Sequence, residues 1–198
     1  MPMTPSPRPA ILITGAAAGI GRAVAERFAR AGWFVGLFDL DEAAVSALLQ
    51  QISPGQGVAG RLDVARPDDW ARALQDFAQA SGQRLHVLFN NAGVAVTSPF
   101  EQADVARHHQ VVDVNLKGVI NGCHAAHALL RGTPGSRVIN MCSASALYGQ
   151  PELASYSATK AAVRSLTEAL DIEWRAQGIR VVDVANAEAM MAGVERRS

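Results

Sequence analysis

The stretch AILITGAAAGIGRAVAERFARAG, residues 10–32, decides how the rest of the chain is read. It opens on a compact apolar run at 10–14, turns through glycines at 15, 19 and 21, and continues into a helical pattern over 20–31. Ile20, Val24, Phe28 and Ala31 fall on one face of that helix, and Gly32 is placed to stop it. A strand that passes through glycines straight into a helix presents unpaired N–H groups and partial positive charge at the helix start. The bare backbone also lets an anion such as a pyrophosphate approach closely. A glycine-rich turn without a ligand has the same letters, so the surroundings must decide between the two.

Outward from this stretch the alternation repeats. Residues 33–38 form a second apolar run, 41–51 a helix capped by Asp41, 58–62 a third strand, and 67–80 a helix with Pro67 in its first turn. Residues 85–89 and 137–142 read as the fourth and fifth strands, with one long helix at 104–130 between them. A helix over 155–177 and a sixth strand over 179–184 follow, with Gly178 at the break. Strands this apolar are expected to be buried on both faces, as in parallel sheets covered by helices. Right-handed crossovers then give an α/β fold, a Rossmann-type doubly wound parallel sheet in three layers with strand order 3-2-1-4-5-6. Ligands in such a sheet sit beyond the carboxyl ends of the strands.

The 198 residues suit one domain, 10–198, behind a flexible lead at 1–9 that carries four prolines. That lead reads as neither signal peptide nor anchor, and no apolar run approaches the roughly 20 residues that span a bilayer. Eighteen basic residues balance eighteen acidic ones, so no net field invites nucleic acid or an anionic membrane. Cys123 and Cys142 have neither metal-ligand spacing nor a disulfide framework, which suits a reducing cytoplasm. His86, His108, His109, His124 and His127 lack the acidic or cysteine partners of a metal site, and Trp70 and Phe77 have the spacing of a core-facing helix.

The polar residues at the strand ends carry the cofactor reading. Asp39 ends the second strand, where a carboxylate accepts from both hydroxyls of an adenosine ribose and repels a 2′-phosphate. Ala18, before Gly19, offers no basic side chain to hold that phosphate, and Arg22 reads as solvated or paired. NAD(H) is therefore expected over NADP(H). Asp39 also reads as a cap for the helix at 41, which leaves the ribose reading open. Asp63 follows the third strand and Asn90-Asn91-Ala92-Gly93 the fourth; they would close an adenosine pocket, although taken singly they are also turn residues.

At the other end, Ser143 follows the fifth strand, and Tyr156 and Lys160 stand four apart on one helix face. Taken with what precedes it, the chain resembles a classical short-chain dehydrogenase/reductase from about residue 10 to about 184. Thr14–Gly21 matches the family's TGxxxGxG turn, Asn90–Gly93 its NNAG segment, Asn115 its helix asparagine, and Ser143, Tyr156 and Lys160 its serine and YxxxK pair. The resemblance implies that Thr14, Gly15, Ala18, Gly19, Ile20, Gly21, Asp39, Asp63, Val64, Asn90, Ala92, Gly93, Tyr156 and Lys160 hold NAD(H). It implies further that Tyr156 is the general acid or base between a secondary alcohol and a ketone. A phenol in water ionises near pH ~10, so a cation beside it is needed near neutrality, and Lys160 supplies one. By the same resemblance Lys160 bonds the nicotinamide ribose, Ser143 holds the substrate oxygen, and Asn115 anchors a water that relays protons to Lys160. Asn115 as a local helix break and Ser143 as a plain strand end are the simpler alternatives.

The end of the chain departs from this pattern. In place of a Pro-Gly turn, a covering loop and a seventh strand, residues 185–193 read ANAEAMMAG and the sequence stops at Ser198. A natural truncation, a shortened chain and an unseen internal segment all fit. A protein that binds a dinucleotide without turnover, as sensor or scaffold, is the alternative this departure favours. Leu147, Tyr148, Leu153 and Val94 suggest an apolar pocket for the small alcohol or ketone. The apolar and small residues of the helices at 104–130 and 155–177, among them Ala161, Ala162, Leu166, Ala169 and Leu170, point to a homodimer, with a homotetramer if further sequence restores the seventh strand.

Overall fold

The computed structural model describes residues 8–185. Six parallel strands form one sheet in the order β3-β2-β1-β4-β5-β6. They are β1 (Ala10–Thr14), β2 (Phe34–Asp39), β3 (Gly57–Arg61), β4 (Val87–Asn90), β5 (Arg137–Met141) and β6 (Arg180–Val184). The helices are α1 (Gly19–Arg30), α2 (Glu42–Ile52), α3 (Pro67–Ser81), α4 (Val105–Val112), α5 (Gly118–Arg131) and α6 (Ala154–Trp174). The lead at 1–7 and the tail at 186–198, on which the missing turn, lid and seventh strand were argued, lie outside the described residues.

Successive side chains of a strand point to opposite faces, and here both faces are covered. Ile11 and Ile13 of β1 join Val35, Leu37 and Phe89 under Val24 and Phe28 of α1 and Val45, Leu48 and Leu49 of α2. Ala10 and Leu12 join Leu88 and Val138 on the other face, under Trp70 and Phe77 of α3, Leu130 of α5 and Val163 of α6. β1 and β4 are buried throughout, as the apolar runs imply. The edge strands are not: β3 is only partly covered, and β6 is buried at Val181 and Val184 but exposed at Arg180, Val182 and Asp183. A strand with one hydrogen-bonded neighbour also has fewer helices over it, so its run need not be continuously apolar.

Local chemistry sets the helix boundaries. Asp41 caps α2 by accepting from the Ala44 N–H at 2.9 Å, and Pro67 occupies the first turn of α3, where a missing N–H costs nothing. Asp69, buried in that same turn, accepts from the Asp63 N–H and pairs with Arg61, Arg66 and Arg72, tying α3 to the end of β3. The long helix expected over 104–130 is interrupted. Between α4 and α5, residues Asp113–Lys117 form a π turn, and the backbone stays helical on either side. The extra residue of such a turn lets one side chain leave the helical register, and here that side chain is Asn115.

Asp171 performs at the far end of α6 what Asp69 performs on α3. Its carboxylate accepts from Arg175 at 2.6 Å, from Arg180 at 2.8 Å and from the Val181 N–H at 3.0 Å, closing α6 onto β6 around Gly178. The Arg180 guanidinium, followed by the Val181 N–H and Arg175, holds this carboxyl well below the usual carboxylate range. A carboxyl depressed in the folded state contributes stability that is complete above its unfolded pKa and is lost as the pH falls towards the folded one. Asp171→Asn should therefore lower the melting temperature at pH 7 by roughly 2–6 °C. The gap between variant and parent should close below pH ~4; thermal melts from pH 7 to pH 2 measure both.

Candidate active site

The sheet's direction of winding reverses at β1, whose neighbours are β2 and β4. A crevice opens at such a switch point because the flanking loops leave in opposite directions. Here it is a cavity of about 750 Å³. One end is lined by Gly15, Ala17, Ala18, Gly19, Ile20 and Asp39, the middle by Asn91 to Ala95, and the other end by Met141, Ser143, Ser145, Gln150, Leu153, Tyr156 and Lys160.

Two side-chain staples, the buried Thr14 and the half-buried Asn91, hold the crevice open between β1 and β4. Thr14 Oγ1 donates to the Phe89 carbonyl and accepts from the N–H groups of Asn91 and Ala92, both at 3.1 Å. Asn91 Nδ2 returns the link, donating to the carbonyls of Thr14 and Gly15 at 2.9 and 3.0 Å. Asn91 belongs with the candidate residues although the sequence singled out its neighbours; as the second letter of the NNAG segment it gave little sign which asparagine does which task. Asn90 itself faces the core, donating to Asn140 Oδ1 at 2.9 Å.

The residues at the first end fit a dinucleotide phosphate. Gly15 and Gly19 have φ of +65° and +54°, in the region that side chains rarely enter, and a Cβ on Gly19 would meet nothing within 4 Å. A Cβ on Gly21 would lie 2.1 Å from the Gly15 carbonyl, so the turn and the helix touch through bare backbone. Ala18 caps α1 without a side-chain bond and the first turn holds no acid, which leaves the helix start to an outside anion. Asp39 accepts from the Ala17 N–H at 3.1 Å and the Asp41 N–H at 3.2 Å, so it braces the glycine turn while Asp41 does the capping. Arg22 is paired with Glu26. Asp63 and Val64 stand away from this lining: Asp63 accepts from the Ala65 N–H, and the buried Val64 accepts through its carbonyl from Trp70 and Asn121.

At the second end, α6 brings Tyr156 and Lys160 to the cavity wall, with Lys160 Nζ 5.5 Å from the centre of the phenol ring. Lys160 is 3% exposed and donates to the Met141 carbonyl at 2.7 Å. Burial brings its ammonium down to about 8, with Cys142 acting in the other direction. Asn115, fully buried in its π turn, exchanges two hydrogen bonds with the Val94 backbone at 2.8 and 2.9 Å, as a neighbouring strand would. A Cβ on Gly93 would lie 3.3 Å from Asn115 Oδ1 and 3.8 Å from Lys160 Nζ, so both polar atoms face one small space. Of the expected apolar wall, Val94 and Leu153 line the cavity, whereas Leu147 and Tyr148 are mostly exposed beside a second hollow of about 540 Å³. Sequence reading missed Ser145 and Gln150, which lie in an irregular loop without a periodic pattern. Among the described residues, no cluster of His, Cys, Asp or Glu could hold a metal, and no helix is long and apolar enough to cross a membrane.

Against known proteins, the short chain dehydrogenase family matches residues 9–192. The chain is 33% identical to sulfoacetaldehyde reductase 2 of Chromohalobacter salexigens over 88% of its own length and 70% of that protein's. It is 35% identical to 3beta-hydroxysteroid dehydrogenase 1 of Eggerthella lenta, over 88% of this chain and 68% of that one. In structure it is similar to the 3-ketoacyl-(acyl-carrier-protein) reductase of Brucella melitensis complexed with NADH, with a TM-score of 0.83 and 30% identity over 90% of this chain and 75% of that one.

Burying a lysine ammonium costs stability. Because the folded-state pKa of Lys160 lies below the ordinary 10.5, the penalty of holding its charge is complete below pH 8 and is relieved as the pH rises towards 10.5. Lys160→Met keeps the volume and removes the charge. The melting temperature of the variant minus that of the parent should be largest near pH 7 and fall steadily between pH 8 and 10.5. A difference that stayed flat across that range would show that the ammonium is not the source.

Proposed function

The chain belongs to the short-chain dehydrogenase/reductase family, and on that premise we propose that it interconverts a secondary alcohol and a ketone by hydride transfer, with NAD(H) preferred over NADP(H). One observation carries the reading: a single cavity has the glycine turn and Asp39 at one end and Ser143, Tyr156 and Lys160 at the other. When bound, the nicotinamide gives or takes the hydride. Tyr156 gives the proton to the carbonyl oxygen in reduction and removes it from the hydroxyl in oxidation. Lys160 holds its positive charge 5.5 Å from the centre of the phenol ring through which the proton passes. Ser143 holds the substrate oxygen. Asn115 fixes Val94 and so the adjoining Gly93, which faces both Asn115 and Lys160, and a water in the space they share would carry protons onward.

A homodimer through α6 belongs to the same proposal: Ala161 and Ala169 are exposed there, while Leu166 and Leu170 lean on the chain's own core. A reducing cytoplasm suits Cys123 and Cys142, both buried as free thiols.

Tyr156→Phe should lower turnover of a ketone panel that includes cyclohexanone by a factor of about 10²–10⁴, the usual contribution of acid–base catalysis. NADH affinity by fluorescence titration should stay within about twofold. NADH binding by the parent with no turnover across a broad alcohol and ketone panel would favour the binding-only protein instead. For the cofactor, Asp39→Ala should narrow the ratio of NADH to NADPH affinity by at least about tenfold, because it removes both a hydroxyl partner and a repulsive charge. Equal affinity of the parent for the two cofactors would defeat that assignment.

A further inference from the structure

Ser143 begins a chain of hydrogen bonds that leads away from the cavity. Its Oγ donates to Ser145 Oγ at 3.1 Å, Ser145 Oγ donates to Gln150 Oε1 at 2.8 Å, and Gln150 Nε2 donates to the Tyr148 hydroxyl at 3.1 Å. The loop that carries it is held in place: the Ser145 N–H donates back to Ser143 Oγ, and the Gln150 N–H donates to Ser157 Oγ, one residue beyond Tyr156. Ser145 is 4% exposed, so water does not stand in for its partners. Tyr148, at the far end, is mostly exposed.

The direction of the protons in this chain matters for the chemistry. An amide oxygen only accepts, so Ser145 must spend its one proton on Gln150 and offer a lone pair to Ser143. Ser143 then turns its own proton out of the cavity. A hydroxyl that holds a carbonyl oxygen must do the opposite. A half-turn of the Gln150 amide reverses every link: Nε2 donates to Ser145, Ser145 to Ser143, and Ser143 into the cavity, while Oε1 accepts from the Tyr148 hydroxyl. All four side chains are both donor and acceptor, so the reversal loses no hydrogen bond. We propose that Ser145, Gln150 and Tyr148 are positioning residues whose reversible chain aims the Ser143 proton at the substrate oxygen. This rests on the reading of Ser143 as the group that holds that oxygen.

Substitutions at Gln150 separate this from a structural role. Glutamate matches the amide in shape but, ionised, only accepts, so Gln150→Glu locks the chain in the outward direction. Gln150→Met merely removes the partner. With cyclohexanone and NADH at pH 8, kcat/KM of Gln150→Glu should fall about tenfold below that of Gln150→Met. The ratio between them should recover as the pH is lowered towards the carboxyl range of ~4–5, where a protonated acid donates again. In a Ser145→Ala background, which cuts the chain, the two Gln150 variants should agree within about twofold. Tyr148→Phe, at an exposed position, should cost a smaller factor and leave NADH affinity unchanged.

Calorimetric affinity of cyclohexanone for the NAD⁺-bound protein should rank the variants in the same order, and this measurement needs no turnover. If Gln150→Glu equals or exceeds Gln150→Met in both measurements, the chain is structural. If the deficit survives in the Ser145→Ala background, the added charge acts on Tyr156 through space, and the proposal fails. Neither result bears on Tyr156→Phe, whose unchanged turnover would instead overturn the assigned chemistry.

Discussion

Where the strands of a sheet covered by helices on both faces end, each turn must find partners for its own N–H and C=O groups. In this chain the partners are side chains. Thr14 takes two N–H groups of the turn after β4, Asn91 takes two carbonyls of the turn after β1, and Asn115 satisfies both backbone groups of Val94. These bonds keep the two turns at a fixed separation, so the crevice between them is a consequence of satisfying the backbone. The π turn in the helix after α4 belongs to the same requirement, since a regular helix would carry Asn115 past Val94 instead of opposite it.

The buried charges divide according to whether a partner was supplied. At Asp69, burial pushes the carboxyl up, but the Asp63 N–H and the guanidiniums of Arg72 and Arg61 outweigh it and hold the group ionised. At Lys160 burial wins, because its hydrogen-bond partner is the neutral Met141 carbonyl. An unmatched buried cation weakens a fold, and unmatched groups of this kind gather where chemistry is done. Asp69 and Asp171 lie at helix ends remote from the cavity and join elements together; Lys160 lies on its wall.

The sheet order and five helical segments were legible because apolar runs and helical faces leave a period in the sequence. Boundaries moved by a residue or two where caps and glycines are weak. The break at Asp113–Lys117 was legible only as the alternative reading of Asn115, since a π turn adds one residue without changing the composition of the helix. The glycine turn and the Tyr156–Lys160 pair were legible for the same reason as the strands: fixed spacing on regular elements. Asn91 was hidden by an identical neighbour, Asn90, that points into the core. Ser145 and Gln150 were hidden by the irregular loop between β5 and α6, where spacing says nothing about direction. Tyr148 and Leu147 drew notice for being apolar, yet they are exposed, because hydrophobicity in a loop does not fix a face.

The two ends of the cavity are therefore made of different material. The first is built from backbone N–H groups, bare glycines and one carboxylate, whose hydrogen-bonding directions are fixed once the chain has folded. The second is built from hydroxyls, a phenol, an amide and a lysine, each of which turns or exchanges a proton without moving the backbone. Rigid donors suit an anion whose charge does not change during the reaction. A centre whose oxygen alternates between carbonyl and hydroxyl needs neighbours that give a proton in one state and take it in the other, and only groups that both donate and accept meet that demand.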